Sequence, residues 1–316
     1  LDFVFELWSF QLFRNSDFVL RDALFKENYM TRIKIVFGAL LAVVLAGPAF
    51  AQDLDGTLKK IKTSGTFTIG YREAAPPFSF PGPDKRPVGY SVDLCMHVAG
   101  AIQKQLGMDN LKLNWVPVTA ENRIDMVAQG KVDIECGTTT ITLSRQERVD
   151  FSLMTFIDGA GLLTAAGVNW RGAADLTDKR IAVIPGTTTE KALADVLKKE
   201  FITVQIVKVK DHLEGLAAVE KGSADAFAGD RGTLAGIAIT SKDPRRFALA
   251  NVVFSYEPYG LMMRRNDPAF RLAVNRALAE LYRSGGFIPI YDRWFGAFGK
   301  PPEAILAMYL LNGLPE

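Results

Sequence analysis

With two cysteines and two histidines in 316 residues, this chain has little from which to build a metal centre. Neither a CxxC nor an HExxH spacing occurs, so a zinc site has no recognisable ligand set, and neither a metal nor a cofactor is expected. Charge of one sign is lacking too. The 37 Lys and Arg residues against 35 Asp and Glu leave a formal net charge of +2, with the basic residues scattered among acidic ones. No basic tract or aromatic-interleaved patch marks a nucleic-acid surface, and no nucleic-acid partner is expected. The apolar run Ile35 to Ala51 is short of the ~20 residues a membrane-spanning helix needs, and no later run is longer. A soluble protein follows.

That short run suits export instead. Met30 is followed by Arg32 and Lys34, then by IVFGALLAVVLAGPAFAQ, which closes on Ala49 and Ala51 flanking Phe50. A basic start, an apolar middle and small residues at the end are the parts of a cleavable signal peptide. Residues 1–29 then read as translated upstream sequence, 30–51 as the signal peptide, and cleavage is expected before Gln52. No cysteine adjoins that point to carry a lipid anchor, which favours a product held in a periplasm. In that oxidising compartment Cys95 and Cys136 are candidates for a disulfide, but sequence does not show the distance between them.

Beyond the signal the chain alternates short β-branched runs with amphipathic stretches: FTIGY, VDLCMHVAGAIQKQL, LKLNWVPV, NRIDMVAQG, VDIECG. This is a βαβ rhythm with parallel strands, and it restarts after Asp175 with KRIAVIPG, VQIVKV and ADAFAGD. Two α/β lobes are expected. FSLMTFIDGAGLLTAA leads out of the first and NVVFSYEPYGLMMR leads back, so two extended strands form a hinge around which the lobes close on a ligand. The expected divisions are 52–157 for the first part of lobe 1, 158–254 for lobe 2, 255–300 for the return to lobe 1, and 301–316 for a tail of unassigned role.

The motifs GYREAAPPFSF, VGYSVDL, ENRI, ECGTTT, SRQERVDFS, GTTTE, KDH, EPYG and YDRWF follow one another from about Leu54 to Phe295. In order and spacing the chain resembles the periplasmic glutamate/aspartate-binding proteins of ABC importers, within the family 3 amino-acid-binding proteins. The resemblance implies a two-lobed type II periplasmic binding protein fold with a ligand cleft between the lobes. It also implies a monomer that closes on L-glutamate or L-aspartate and docks on an inner-membrane ABC permease. The family's residues carry over position by position. Arg145 matches the α-carboxylate grip, Asp230 the acceptor of the α-ammonium, and Arg72, Arg123 and His212 the positions that hold a side-chain carboxylate. Ala120 departs from the pattern, since close relatives carry Ser there, and this leaves the choice between glutamate and aspartate open.

The residue types support that chemistry by themselves. An α-amino acid offers a carboxylate and an ammonium at fixed separation, and a planar bidentate cation with an anionic acceptor answers both. Thr138 adds a hydroxyl and carbonyl, while backbone N–H groups around Thr140, Thr187 and Thr188 add donors, because GTTTE opens a helix whose N-terminus favours an anion. A plain helix cap is the bland alternative for that threonine run. Three arginines against Asp230 leave a count of +2 that an acidic ligand reduces, so glutamine is expected to bind more weakly. Tyr71, Phe78 and Tyr90 are candidates to wall the cleft, and core packing is the alternative for each. His212 is expected to gain a proton beside the ligand carboxylate and so to strengthen binding in mild acid. The competing readings are a binding protein for glutamine, asparagine or polar amino acids broadly, and a periplasmic dehydratase of the prephenate or arogenate type. The dehydratase needs a proton donor in the pocket, for which Glu73 is the nominee.

Overall fold

The structure, a computed structural model, describes residues 54–315; the expected upstream segment 1–29 and signal peptide 30–51 lie outside the described residues. Two five-stranded sheets organise the chain. The first runs in the spatial order β4 (Lys112–Pro117), β1 (Thr66–Tyr71), β5 (Ile134–Cys136), β12 (Glu257–Arg264), β6 (Val149–Asp158). The second runs β11 (Phe247–Leu249), β7 (Ala160–Ala165), β10 (Ala226–Asp230), β8 (Arg180–Val183), β9 (Gln205–Lys208). A two-stranded ladder of β2 (Phe80–Pro81) and β3 (Pro87–Val88) leads into the helix Tyr90–Gln105.

The expected parallel pairing holds for β1 with β4 and β5, and for β8 with β9 and β10. The inner strands β1, β5, β8 and β10 are mostly buried, as parallel strands covered on both faces are, whereas the edge strands β4 and β9 are partly exposed. The crossing strands pair differently. β12 runs antiparallel to β5 and β6, and β7 runs antiparallel to β10 and β11, because each belongs to a segment passing between sheets. β6 ends at Asp158 in one sheet and β7 begins at Ala160 in the other, with Gly159 alone between them. The return lies between Leu249 and Glu257. The two crossings are tied together where Ala160 N donates to Ser255 Oγ at 3.0 Å and Phe254 N donates to Ala160 O at 3.0 Å.

Local signals set the helices that frame the cleft. The helix Tyr90–Gln105 buries Tyr90, Leu94, Cys95, Val98, Ala99 and Ile102, the three-and-four spacing of one face. Asp267 begins the helix Pro268–Arg283: its carboxylate accepts from Phe270 N at 3.3 Å, and proline sits at the first turn, where no N–H is needed. The segment after Lys300, left unassigned by sequence, forms the helix Glu303–Asn312 and buries Ile305, Met308 and Tyr309 in the core of the first lobe. Its Tyr309 hydroxyl hydrogen-bonds that of Tyr90. Cys95 and Cys136 are joined in a disulfide, their Cα atoms 6.3 Å apart, which fastens that long helix to the end of β5.

Of the proposed cleft aromatics, Phe78 and Tyr90 lie wholly in the first lobe's core. Their rings meet edge to face at 6.1 Å, and Phe78 also packs on Phe156, Tyr259 and Phe295. Tyr71 instead packs edge to face on Trp115, 6.3 Å away.

Candidate functional site

A small cavity between the lobes is lined by Arg72, Arg123 and Thr138 from the first and by Thr187, Thr188, His212 and Asp230, among others, from the second. Each stands at an element end, where backbone geometry aims side chains into the gap. Arg72 follows β1, Arg123 opens the helix Arg123–Ala128, and Thr138 follows β5. Asp230 ends β10 and is the N-cap of the helix Arg231–Ile239. Thr187 caps the helix Thr188–Lys199, its hydroxyl accepting from Glu190 N at 3.1 Å, so the cap and the cleft wall are one feature. Asp211 caps the helix His212–Glu220 by accepting from Glu214 N at 2.9 Å, which places His212 at its first position.

Seven of the nine sequence candidates thus line the cavity; Thr140 and Arg145 do not, but both are buried, Thr140 against the lining Thr188 and Arg145 against Thr140. Thr140 Oγ1 lies 3.1 Å from Thr188 Oγ1, one hydroxyl from each lobe. Arg145 donates from Nη1 to Thr140 O at 2.8 Å. Arg123 donates from Nη1 to Thr138 O at 3.1 Å and to Thr139 Oγ1 at 2.8 Å, so the Thr138 carbonyl proposed for an ammonium is engaged by Arg123.

The electrostatics differ from the sequence count in an important respect. Glu135 and Glu257, which the count omitted, are both buried and act on the same field. Thr139 Oγ1 donates to Glu135 Oε2 at 2.7 Å, extending the relay from Arg123. Glu257 Oε2 accepts from Thr140 Oγ1 at 2.6 Å and Thr188 Oγ1 at 2.7 Å, and its Oε1 accepts from Ser255 Oγ at 2.6 Å. The +2 excess over Asp230 alone is therefore corrected: three buried arginines face three buried or half-buried carboxylates in this neighbourhood. Both glutamates open short motifs already singled out, ECGTTT and EPYG, but nothing local marks them as facing the cleft.

Burial and the neighbouring Arg123 guanidinium pull Arg72 and Arg145 down to about 10 each. Like charges held together in a low-dielectric cleft favour an anion between them. Burial, with the adjacent Arg72, pushes His212 down to about 3. The expectation of a histidine that protonates in mild acid is corrected on this ground, since two guanidiniums oppose a third positive charge. The imidazole stays neutral, hydrogen-bonded to the backbone of Ala74, and its Nδ1 is without a partner. Asp230 accepts from Thr189 Oγ1 at 2.8 Å and from Tyr259 Oη at 2.5 Å, while burial and Glu257 raise its pKa. Glu73, the nominated proton donor for a dehydratase, is exposed and lies outside the cavity lining.

Two α/β lobes joined by two crossings, with cationic side chains and one carboxylate lining the gap, define a ligand-binding protein of the hinged type. The chain belongs to the bacterial extracellular solute-binding proteins, family 3, whose model matches residues 67–297. It is 40% identical over 258 residues to the L-glutamate/L-aspartate-binding protein of Pseudomonas aeruginosa, covering 81% of this chain and 85% of that one. It is 35% identical to the glutamate/aspartate import solute-binding protein of Escherichia coli K12, over 81% of this chain and 87% of that one. Among solved structures it resembles the cysteine-binding protein of Campylobacter jejuni, with a TM-score of 0.68 and 25% identity over 79% of this chain and 97% of that one. The type II periplasmic binding protein fold expected from the motifs is the fold observed.

Proposed function

We propose that this chain captures L-glutamate or L-aspartate between its lobes in the periplasm, after loss of a signal peptide, and delivers it as a monomer to an inner-membrane ABC permease. The observation that carries the reading is the convergence of Arg72, Arg123 and Asp230 on one interlobe cavity, with Arg145 buried behind it. In this reading Arg145 and the N–H groups near Thr140, Thr187 and Thr188 take the α-carboxylate. Asp230, with Thr138 beside it, takes the α-ammonium. Arg72 and Arg123 take the side-chain carboxylate, with neutral His212 beside them in the cavity lining. The relatives named above for glutamate and aspartate support this choice of ligand.

Turnover is not part of the proposal. Asp230 is the one carboxylate among the described residues lining the cavity, and Thr189 and Tyr259 already hold it as an acceptor. A broader reading, in which amides are also carried, draws support from the buried Glu135 and Glu257, which offset the positive field. Calorimetric titration of refolded, ligand-stripped protein with the common amino acids separates the two. L-Glutamate and L-aspartate are expected to bind at micromolar affinity or better, about −8 kcal/mol or stronger, with glutamine at least about tenfold weaker. Equal or tighter binding of glutamine would overturn the acidic-ligand reading.

A further inference from the structure

Three acids meet where the chain crosses between lobes, and strand register brings them there. Asp158 is the register partner of Glu257 across β6 and β12, and Asp230 is the register partner of Ala160 across β10 and β7. Tyr259 bridges two of them, its hydroxyl 2.5 Å from Asp230 Oδ2 and 3.3 Å from Asp158 Oδ2. The remaining contacts of Asp158 come from backbone: Gly159 N donates to Oδ1 at 2.8 Å and Gly232 N, in the first turn of the helix Arg231–Ile239, donates to Oδ2 at 2.9 Å. Arg231, next to this pair in sequence, turns its Nη1 to Ala250 O at 2.9 Å. The arginines whose charge acts on Asp230 are Arg123, across the cavity, and also Arg72 and Arg145. Asp158 itself is absent from the cavity lining, so it meets a ligand only through its neighbours.

One hydroxyl proton cannot serve two ionised carboxylates well, and two buried carboxylates this close do not both ionise freely. Burial first, then the Asp230 charge, push Asp158 up to about 7. The pair therefore holds a proton through mild acid when the cleft is empty.

We propose that Asp158 and Tyr259 are positioning residues that act through Asp230, and that an α-ammonium arriving at Asp230 expels a proton held by the Tyr259-bridged pair of aspartates. This rests on the ammonium assignment made above. The balance is simple: the amino acid enters with its ammonium intact, the carboxyl proton leaves to solvent, and both aspartates end ionised around one positive charge. Binding then costs a proton below the free-site midpoint and none above it. Affinity falls as pH drops below about 7, by up to about tenfold per unit, and is flat above. The ligand's side-chain carboxyl contributes no slope between pH 5.5 and 8.5, since unperturbed it titrates at ~4.3.

The test is calorimetric titration of the full protein with L-glutamate from pH 5.5 to 8.5, in paired buffers of different ionisation enthalpy. The wild type is expected to release up to about one proton near pH 6 and none near pH 8.5. Asp158→Asn should lose the acid-side slope. Tyr259→Phe removes a donor to the carboxylates, so its slope should begin at higher pH, whereas a merely structural role would shift affinity equally at every pH. A wild-type dissociation constant that is constant over the range overturns proton release while leaving amino-acid capture intact. An unchanged slope in folded Asp158→Asn overturns the assignment to Asp158. If that variant does not fold, the buffer-derived proton count and the Tyr259→Phe profile decide. No binding of glutamate by the wild type even at pH 8.5 overturns the functional reading and this inference with it.

Discussion

The cleft arginines differ in what each addresses, and that difference is measurable. Arg145 is assigned to the group that every amino acid shares, so Arg145→Ala is expected to abolish binding of all of them. Arg72→Ala and Arg123→Ala, which remove charge at the side-chain end, are expected to bring glutamate down towards glutamine, by roughly 2–5 kcal/mol in affinity for the acid. Titration of each variant with glutamate, aspartate and glutamine checks this; near-native affinity in Arg145→Ala would sink the assignment. His212 belongs to the same scale. Because burial and Arg72 hold it at about 3, it is neutral across pH 5.5 to 8.5, and His212→Gln should keep the wild-type pH profile while losing some affinity. The sign follows from the depressed value: a histidine that charges only near pH 3 releases or takes up no proton in that window.

At the scale of elements, close approach and cross-linking position the cleft walls. The helix Arg231–Ile239 of the second lobe comes so near the Pro76–Pro77 segment of the first that a Cβ on Gly236 would stand 2.2 Å from Pro76 O. Gly236→Ala therefore has no room without separating helix from loop. The expected result is a protein that folds but closes poorly, with glutamate affinity down about tenfold or more and a larger scattering radius when saturated. A native radius and affinity in that variant would show that the contact is not needed for closure. The disulfide between Cys95 and Cys136, 41 residues apart, holds the helix Tyr90–Gln105 against the strand that runs into Thr138 and Thr140. Chain-entropy reasoning for a loop of that length gives up to about 4 kcal/mol of stability. The double variant Cys95→Ser, Cys136→Ser should melt lower by the corresponding amount in a thermal scan, and an unchanged melting temperature would contradict it.

The whole molecule turns local contacts into a change of shape. Thr140 and Thr188, from opposite lobes, both donate to Glu257, so the closed arrangement has interlobe hydrogen bonds of its own before any ligand contact. A ligand binding only this folded, closed form adds stability by mass action, about 2.7 kcal/mol at a hundredfold excess over its dissociation constant. Saturating glutamate is thus expected to raise the melting temperature and to reduce the scattering radius. If neither changed, hinged closure around glutamate would be ruled out.

The order of motifs, the βαβ rhythm and its restart after Asp175 determined the family and the two-lobed α/β architecture from sequence alone. These are local signals, because strand and helix periods and helix caps depend on neighbours a few residues away. The candidates Arg72, Arg123, Thr138, Thr187, Thr188, His212 and Asp230 came from short motifs that resemble the family's, and the structure places them around one cavity. What needed the tertiary structure was everything set by approach between distant segments. Pairing of Cys95 with Cys136, the docking of the helix Glu303–Asn312, the convergence of Glu135 and Glu257 on Arg145, and that of Asp158 on Asp230 all join residues far apart in the chain. The charge count and the histidine expectation failed on this point. A residue's ionisation answers to burial and to charges within a few ångströms, and those distances are settled only when the lobes fold together.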